Sequence, residues 1–496
     1  MLGQRHALSE LSKTDWDLVV VGGGITGAGI LLEAARLGKK TLLLEQQDYA
    51  WGTSSRSSKM VHGGLRYLAQ GDVSLTKHSL HERERLLVEL PHMVVRFPYI
   101  FPIRQGAFPG RIAMTAVLTM YDKLAGMSDH NWLSRDKLLQ QYPILNAEGL
   151  KGGMRYTDAL VDDARLVLRV LHEAVLEGGT ANNYSQVNAV NPTSTGFNLT
   201  VKDTISGEEV EFKAKQVTNA TGAWADILSA TDAKVRPQRG SHIFIPASKM
   251  PIHDCLTVMH PDDNRPVFIY PWKGQISIGT TDLDHRESVN TEPYCTSAEV
   301  DYLLKVANKQ LPTVSLTRAD IISTMAGVRP IIGSGTGNDP SKERRDHLVW
   351  TGSNGVVTVS GGKLTTFRLI ALDVMHALSI INDKQLKDAQ NNRKLRCFNH
   401  RVEDPYDLNS PLVQVQTGDK LKTQVEWILQ NEMVQHLDDL MLRRIRAGNM
   451  MPNGGAEVLE LIKPLCTQYL GWDEARWQQE LVRYQQIIAS SYSVPA

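Results

Sequence analysis

The chain has 496 residues, 42% hydrophobic and 22% charged, which is typical of a globular protein with roughly two to four structural units. Its formal net charge is zero, and no nucleic-acid-binding motif is evident, so we expect no nucleic-acid partner. The four cysteines form no CxxC pair, which favours a reducing compartment and argues against a zinc site or a disulfide framework.

The first predicted elements form a dinucleotide-binding unit between Trp16 and Glu45. An apolar strand over residues 17–21 leads into a GxGxxG motif and then a helix. A second apolar strand over residues 41–44 follows and ends at the acidic residue Glu45. The glycines of the motif are Gly22, Gly24 and Gly27. An ordinary strand–helix turn would also tolerate glycines, but the complete order of elements favours an adenine dinucleotide site.

Each part of this unit has a physical task. Glycines let the backbone approach a pyrophosphate closely, and the helix N-terminus offers free N–H groups and a positive dipole end. The carboxylate of Glu45 can accept hydrogen bonds from ribose hydroxyls. The motif alone does not distinguish a nicotinamide from a flavin dinucleotide.

Downstream of this unit, a small polar loop over residues 51–59 precedes the segment HGGLRYL at residues 62–68. The pattern predicts a charged helix over residues 73–90, ended by Pro91, and a second helix over residues 162–176. From about residue 395 the pattern is helical and polar, and we expect tail arginines such as Arg443 and Arg444 to be exposed or at a subunit contact.

Residues 240–330 show the short apolar runs and turn residues of an antiparallel sheet. Its predicted strands are residues 241–246, 267–271 and 275–280, and later strands follow at 348–351 and 356–359. The fold class is therefore α/β, with a Rossmann-type dinucleotide domain, a β-sheet-rich substrate domain and a helical C-terminal domain. The predicted segments are 1–91, 158–239 and 341–390 for the dinucleotide domain, 92–157 and 240–340 for the substrate domain, and 391–496 for the C-terminal domain.

Two later segments favour a flavin. A strand ending in the small-residue turn Asn219–Gly222 is typical of a backbone that passes close to a cofactor. Gly361 and Gly362 precede a predicted helix, whose N-terminus suits the negative charge that a flavin gains on reduction. FAD is therefore the expected cofactor, and no metal is expected.

The chain resembles the FAD-dependent glycerol-3-phosphate dehydrogenases and the related glycerophosphate oxidases. TSSRSSKMVHGGLRYL, VDDARL, ATGAW, GSHI, GTTD, GVRP and SGGKLTT occur in the family's order, over residues 15 to about 380. The resemblance implies oxidation of glycerol 3-phosphate to dihydroxyacetone phosphate, with a β-sheet domain packed over the flavin. It implies electron transfer to a membrane quinone in the dehydrogenase branch. Dioxygen as acceptor, another small hydroxy substrate, or a flavin-holding protein without catalysis are the alternatives.

The resemblance also implies site residues. Arg66, Tyr67 and Arg345 are expected to bind the substrate phosphate, with Arg344 as a one-residue alternative to Arg345. Arginine suits this task because its planar fork can bind a phosphate through two parallel hydrogen bonds. A solvated surface arginine is the ordinary alternative for each, but the paired glycines before Arg66 favour a binding role.

For the chemistry, His62 is the expected base, because an imidazole titrates near neutrality, and His242 at the substrate site is the alternative base. Arg329 is expected to stabilise the developing alkoxide, and Lys363 negative charge near the flavin. The expected FAD contacts are Gly22, Gly24, Gly27, Glu45, Ser54, Ser55, Thr221, Gly222, Gly362, Lys363, Leu364 and Thr365.

An apolar block at residues 112–121, flanked by Arg111 and Lys123, is too short to span a bilayer. It predicts either a buried core helix or an interfacial helix, and a quinone partner favours the second, with Val117 and Leu118 facing the membrane. No secretory signal is evident. We therefore expect a cytoplasmic protein attached peripherally to the inner face of the cell membrane. The sequence leaves open whether the protein forms a homodimer.

Overall fold

The computed structural model describes all residues except 1, 66–67, 69–70, 232–233, 334–345, 393–396, 404, 406–407 and 496. The strands of the described residues are β1 (Trp16–Val21), β2 (Thr41–Leu44), β3 (Met60–Val61), β4 (Val94–Arg104), β5 (Asn131–Ser134), β6 (Leu150–Val161), β7 (Thr180–Asn182), β8 (Ser185–Thr193), β9 (Gly196–Asp203), β10 (Glu209–Asn219), β11 (Val235–Pro246), β12 (Cys255–Met259), β13 (Pro266–Trp272), β14 (Gln275–Gly279), β15 (Leu283–Asp284), β16 (Ser323–Ile332), β17 (His347–Thr351) and β18 (Val357–Gly361).

The α-helices of the same residues are α1 (Leu8–Leu11), α2 (Ile25–Arg36), α3 (Val73–Glu89), α4 (Arg111–Ala125), α5 (Arg135–Gln141), α6 (Asp163–Leu176), α7 (Ala225–Leu228), α8 (Ser297–Gln310), α9 (Phe367–Ala377), α10 (Asp383–Asn391), α11 (Gly418–Asn431), α12 (Ala447–Met450), α13 (Leu459–Leu470) and α14 (Glu474–Ile487). The predicted helices at 73–90 and 162–176 are confirmed to within a residue, since Leu90 and Asp162 are their caps.

One sheet, which we call the cofactor sheet, has the order β17-β18-β10-β1-β2-β7, with β9 added to β10 and β8 to β9. Strand β1 pairs in parallel with both β2 and β10, as expected for a dinucleotide-binding unit. Alternate residues of β1 enter different cores. Leu18 and Val20 pack among the residues of α2, α6 and α9, whereas Val19 and Val21 pack among those of β8–β10 on the opposite face.

The second sheet, which we call the substrate sheet, has the order β15-β11-β14-β13-β12-β4-β6-β3, with β16 added to β11 and β5 to β6. Its pairs are antiparallel except for β12 and β4, so the antiparallel region predicted at residues 240–330 is confirmed. One face packs against α8, and the other against the C-terminal helices. Strand β3 pairs with β6. The chain therefore passes from the cofactor sheet to the substrate sheet just before His62.

The C-terminal helices are joined to the cofactor domain by buried charges, so the prediction of exposed tail arginines is wrong. Arg443 and Arg444 are 1% and 0% exposed. Nε of Arg443 donates to Asp48 at 2.6 Å, and Nη2 of Arg444 donates to the same carboxylate at 2.8 Å. Asp48 follows β2 and supplies a buried counter-charge, which the composition of the tail could not reveal.

Helix α4 is amphipathic in a different way from the prediction. Met114, Leu118 and Tyr121 are buried in the protein, so the expectation that Leu118 faces the membrane is wrong. The most exposed apolar side chains lie instead at the N-terminal end of the helix, where Phe108, just before it, is 87% and Ile112 is 88% exposed. Among the described residues, no helix combines the length and apolar character needed to cross a bilayer.

Candidate active site

A cavity of about 1050 Å³ lies between the two sheets and is lined by residues of both. Its walls include the carboxyl ends of β1, β2 and β10, where ligands bind in open α/β sheets. The substrate sheet contributes residues from β4, β6, β13 and β16. The cavity therefore has two parts, a nucleotide site at the cofactor sheet and a second chamber whose wall is formed by the substrate sheet.

The glycine motif is packed so closely that side chains do not fit. A Cβ on Gly27 would lie 1.8 Å from the carbonyl oxygen of Gly22. Gly22 itself has a φ of +113°, and a Cβ there would lie 2.7 Å from the carbonyl oxygen of Ala220, which directly follows β10. These contacts bring the start of α2 to the end of β10, as a backbone cradle for a pyrophosphate requires. Gly22 and Gly24 line the cavity, and Gly27 lies behind them.

Glu45 lies on the cavity wall at the end of β2. Its two carboxylate oxygens accept the N–H groups of Gly23 at 2.6 Å and Gln47 at 2.8 Å. Burial raises the pKa of Glu45 to about 7, although both hydrogen bonds oppose this shift. The carboxylate is thus held in place, at the position where a ribose would meet it.

The polar loop after the nucleotide motif supports the start of α2. Ser54 lines the cavity, and its Oγ accepts the N–H of Ile25 at 3.0 Å. Ser55, also a predicted FAD contact, is buried and does not line the cavity. Its carbonyl accepts hydrogen bonds from Lys59 and Arg446 instead.

A second group of predicted FAD contacts lines the cavity from the ends of β10 and β18: Thr221, Gly222, Gly362, Lys363, Leu364 and Thr365. Gly361 and Gly362 have φ values of +82° and +79°, a left-handed pair that glycine adopts readily. The Nζ of Lys363 reaches Ser79 Oγ of α3 at 3.3 Å. Helix α9 begins shortly afterwards, so a second helix N-terminus faces the cavity.

His62 lines the cavity directly after β3. Its carbonyl accepts from Thr365 Oγ1 at 3.5 Å, which connects the His62 turn to the β18–α9 segment. Gly64 lines the same wall and has a φ of +83°. The structure thus brings His62, Lys363 and the glycine motif to one cavity.

Arg329, on β16, lines the same cavity with its side chain 21% exposed. Its Nη1 donates to Asp282 Oδ1 and its Nη2 to Thr280 Oγ1, both at 3.0 Å. A Cβ on Gly240 would lie 2.3 Å from Nη2 of Arg329, so the glycine leaves space for the guanidinium. The guanidinium is therefore fixed before any substrate arrives.

His242 is buried beneath the wall rather than on it. Its Nε2 lies 3.1 Å from Oγ of Ser58, which does line the cavity, and its Nδ1 has no partner among the described residues. Burial, with the charges of Lys59 and Arg329, lowers the pKa of His242 to about 3. The ring is neutral near pH 7, and such a low pKa makes it a weak base.

Arg66, Tyr67 and Arg345, the predicted phosphate contacts, lie outside the described residues, as does Arg344. The cavity wall instead shows residues that the sequence did not single out: Tyr99, Tyr156, Asp158, Arg265, Phe268 and Asp282. Arg265 donates to the carbonyl of Asp282 at 2.7 Å, which places a second guanidinium beside Arg329. Asp282 is the last residue of the GTTD motif, and the other five residues lie in none of the family motifs.

The cavity fits an adenine dinucleotide carrying a flavin. It offers a glycine cradle, an acid at the ribose position and two helix N-termini for anionic groups, and it extends into a chamber lined by His62 and Arg329. A nucleotide-binding sheet with a parallel centre, covered by a largely antiparallel sheet, fits the class of flavin-dependent oxidoreductases.

Similarity to known proteins agrees with this class. Residues 17–368 match the family described as FAD dependent oxidoreductase, and residues 402–477 match the C-terminal domain of alpha-glycerophosphate oxidase. The aerobic glycerol-3-phosphate dehydrogenases of Staphylococcus aureus and Staphylococcus epidermidis are both 37% identical, over 76% of this chain and 69% of theirs.

Solved structures show the same fold. The glycerol-3-phosphate dehydrogenase of Bacillus halodurans, complexed with FAD, superposes with a TM-score of 0.73 at 24% identity, over 99% of this chain and 97% of that one. The L-alpha-glycerophosphate oxidase of Mycoplasma pneumoniae gives a TM-score of 0.59 at 18% identity, over 74% and 95%. The chain belongs to the FAD dependent oxidoreductases, in the family of the FAD-dependent glycerol-3-phosphate dehydrogenases. FAD is its cofactor.

Proposed function

We propose that the protein oxidises sn-glycerol 3-phosphate to dihydroxyacetone phosphate, with FAD as the first electron acceptor and a membrane quinone as the final one. The observation that carries this proposal is a fixed guanidinium, Arg329, on the wall of a cavity that also holds His62 and the dinucleotide cradle. The names of the staphylococcal relatives support the same substrate.

When bound, FAD supplies a two-electron acceptor for the hydrogen that leaves the secondary carbon. His62 takes the hydroxyl proton, because an imidazole is the side-chain base that most often serves in proton transfer. Arg329 stabilises the negative charge that develops on the same oxygen, and Asp282 keeps its guanidinium in place. Lys363, held by Ser79, adds a second positive charge to the wall.

The phosphate of the substrate needs fixed cations. We assign the cationic contacts to Arg66 and Arg345 and a hydroxyl hydrogen bond to Tyr67, following the family motifs, and Arg265 is a further cationic candidate on the described wall. An arginine contact to a phosphate contributes about 1.5–3 kcal/mol, so two such contacts separate a phosphorylated polyol from plain glycerol.

The proposed reaction is tested by mixing the purified protein anaerobically with glycerol 3-phosphate and following the visible absorbance of the flavin. We expect bleaching, rapid recovery with a quinone analogue and slow recovery in air. Fast recovery in air with release of peroxide would identify a glycerophosphate oxidase instead. Persistent colour with glycerol 3-phosphate and with other phosphorylated polyols would contradict the proposal.

Replacing Arg329 with alanine is expected to lower kcat by about 100-fold or more, because one preorganised charge at a developing oxyanion has an effect of this size. Flavin content is expected to stay within twofold of wild type. Steady-state kinetics and the flavin-to-protein absorbance ratio measure both. Arg318→Ala is the matched control, since Arg318 forms its ion pair with the exposed Asp301. Equal turnover in Arg329→Ala and the control would remove Arg329 from the mechanism.

We also propose that the N-terminal end of α4 contacts the inner face of the cell membrane. Phe108 and Ile112 are almost fully exposed there, and Arg111 lies between them. Large apolar side chains can enter the interface while a basic group meets anionic headgroups. Among the described residues, neither of these two side chains packs into the apolar clusters formed by the rest of the helix.

A double variant, Phe108→Glu with Ile112→Glu, is expected to lose at least about tenfold in binding to anionic lipid vesicles, because burying each apolar side chain contributes about 1.5–3 kcal/mol. Vesicle co-sedimentation measures the loss, and circular dichroism checks the fold. The matched control is Leu176→Glu with Ile205→Glu, which adds the same charge at two exposed apolar positions elsewhere. Unchanged binding, or the same loss in the control, would contradict this surface.

A further inference from the structure

We propose that Tyr121 is a positioning residue for the His62–Gly64 turn, acting together with Asp158 and Arg83. This inference rests on the proposed role of His62 as the base. Tyr121 lies on α4 and does not line the cavity, so it would act on the reaction through the turn that carries His62.

The backbone needs a partner at this turn because the strand pairing stops there. The ladder between β3 and β6 ends at Val61, which is paired with Ala159. The N–H of Gly63, two residues later, is buried and has no strand to pair with. It donates to the phenolic oxygen of Tyr121 at 2.8 Å and to Asp158 Oδ1 at 3.2 Å.

The packing around Gly63 leaves no room for a side chain. A Cβ on Gly63 would lie 2.3 Å from Leu80 Cδ2 and 2.6 Å from the phenolic oxygen of Tyr121. The side chains of Leu68, Leu80 and Tyr121 form one buried apolar cluster around the turn. The phenol therefore touches the turn through both packing and a hydrogen bond. A phenylalanine keeps the packing and removes the hydroxyl with its hydrogen bonds to Gly63 and Asp158.

The carboxylate of Asp158 adds a charge to the contact between Tyr121 and the turn. Its carboxylate is 4% exposed, lines the cavity and accepts from the Tyr121 hydroxyl at 2.8 Å and 3.0 Å. Arg83, fully buried, donates to the same carboxylate at 2.7 Å. The guanidinium and the phenol together disperse a negative charge that would otherwise repel an anionic substrate.

Tyr121 thus accepts from the backbone beside His62 and donates to the carboxylate behind it. A phenol can do both at once, because its oxygen accepts while its O–H donates. Burial raises the pKa of Tyr121 well above its usual value, so the hydroxyl keeps its proton at every pH of interest. The orientation of His62 follows from a turn that this pair of hydrogen bonds holds.

The test compares Tyr121→Phe with Tyr142→Phe. Tyr142 is a matched control because it is equally buried and its hydroxyl donates to another aspartate, Asp254, at 2.7 Å, away from the cavity. Both holoenzymes are studied by hydrogen–deuterium exchange over the segment Met60–Leu65 and by anaerobic reduction of the flavin with glycerol 3-phosphate.

We expect exchange at Met60–Leu65 to accelerate at least about tenfold in Tyr121→Phe and to stay unchanged in Tyr142→Phe. The rate of flavin reduction is expected to fall about tenfold in Tyr121→Phe, with KM changing less than twofold.

Unchanged exchange in Tyr121→Phe, or equal acceleration in both variants, would overturn the inference. Faster exchange with wild-type flavin reduction would also overturn it, because the turn would then have no effect on the reaction. Failure of the wild-type protein to reduce its flavin with glycerol 3-phosphate would instead refute the proposed function, and the exchange data would still decide whether Tyr121 holds the turn.

Discussion

Replacing Gly27 with alanine is expected to abolish FAD binding. The new Cβ would lie 1.8 Å from the carbonyl oxygen of Gly22, and neither group can move away as a flexible side chain could. Overpacking in an ordinary core costs about 1–3 kcal/mol, and this contact is between two backbones, so the penalty is larger. Separation of α2 from β1 would remove the cradle and the helix N-terminus that an anionic pyrophosphate needs.

The measurement is the flavin-to-protein absorbance ratio of the purified variant, which we expect to be below about a tenth of wild type, together with a lower Tm because bound cofactor stabilises the fold. Gly110→Ala is the control. Gly110 also precedes a helix, α4, but nothing lies within 4 Å of a Cβ there, and its φ is −76°. A Gly27→Ala protein with full flavin content would contradict the packing described above.

Replacing Arg446 with alanine is expected to cause a large loss of stability. Its guanidinium donates to Asp162 at 2.7 Å and to Asp163 at 2.6 Å, and all three side chains are buried. Lys59 and Lys273 lie against the same two carboxylates, at 2.8 Å and 3.5 Å. Removing one member of a buried ion pair costs about 3–5 kcal/mol, because the remaining charges lose their partner.

The loss is also expected to reach the cofactor. Asp163 accepts hydrogen bonds from both the N–H and the Oγ of Ser57, at 2.9 Å and 2.7 Å, and Ser57 lines the cavity. Weaker FAD binding should therefore accompany a decrease in Tm of about 10 °C, taking a few degrees per kcal/mol for a large domain.

Thermal unfolding followed by circular dichroism, with a flavin-fluorescence titration, measures both effects. Arg401→Ala is the control in the same domain, since Arg401 and its partner Glu403 are 87% and 74% exposed. An exposed pair of this kind contributes about 1 kcal/mol at most. Equal Tm values for Arg446→Ala and Arg401→Ala would show that the buried charges do not join the two domains.

The dinucleotide unit could be predicted from the sequence because its determinants are local. The glycines, the apolar strands on either side and Glu45 fall within 30 residues, and their spacing follows from the dimensions of one strand and one helix. The antiparallel character of residues 240–330 was equally visible, since each short strand pairs with a near neighbour such as β13 with β14.

The second chamber could not be predicted in the same way. Its wall combines β4 and β6, from a stretch without a clear pattern, with β13 and β16, which lie more than 100 residues further on. Tyr99 and Arg265 carry no motif, and only the pairing of β12 with β4 brings their segments together. The position of His242 was similarly hidden, because burial and a pKa of about 3 depend on neighbours such as Lys59.

The sequence by itself determined the dinucleotide site, because a nucleotide cradle is encoded by closely spaced residues. The flavin, the family and the fold class followed from later segments and from motifs that occur in the family's order along the chain. Only the tertiary structure decided which charges are exposed. Arg443 and Arg444 read as surface residues until Asp48, almost 400 residues away in sequence, is found between them. The same is true of Tyr121, whose hydroxyl meets the His62 turn through packing of α4. Electrostatic partners and hydrogen bonds of this kind depend on distances in space, and the local pattern of a chain does not contain them.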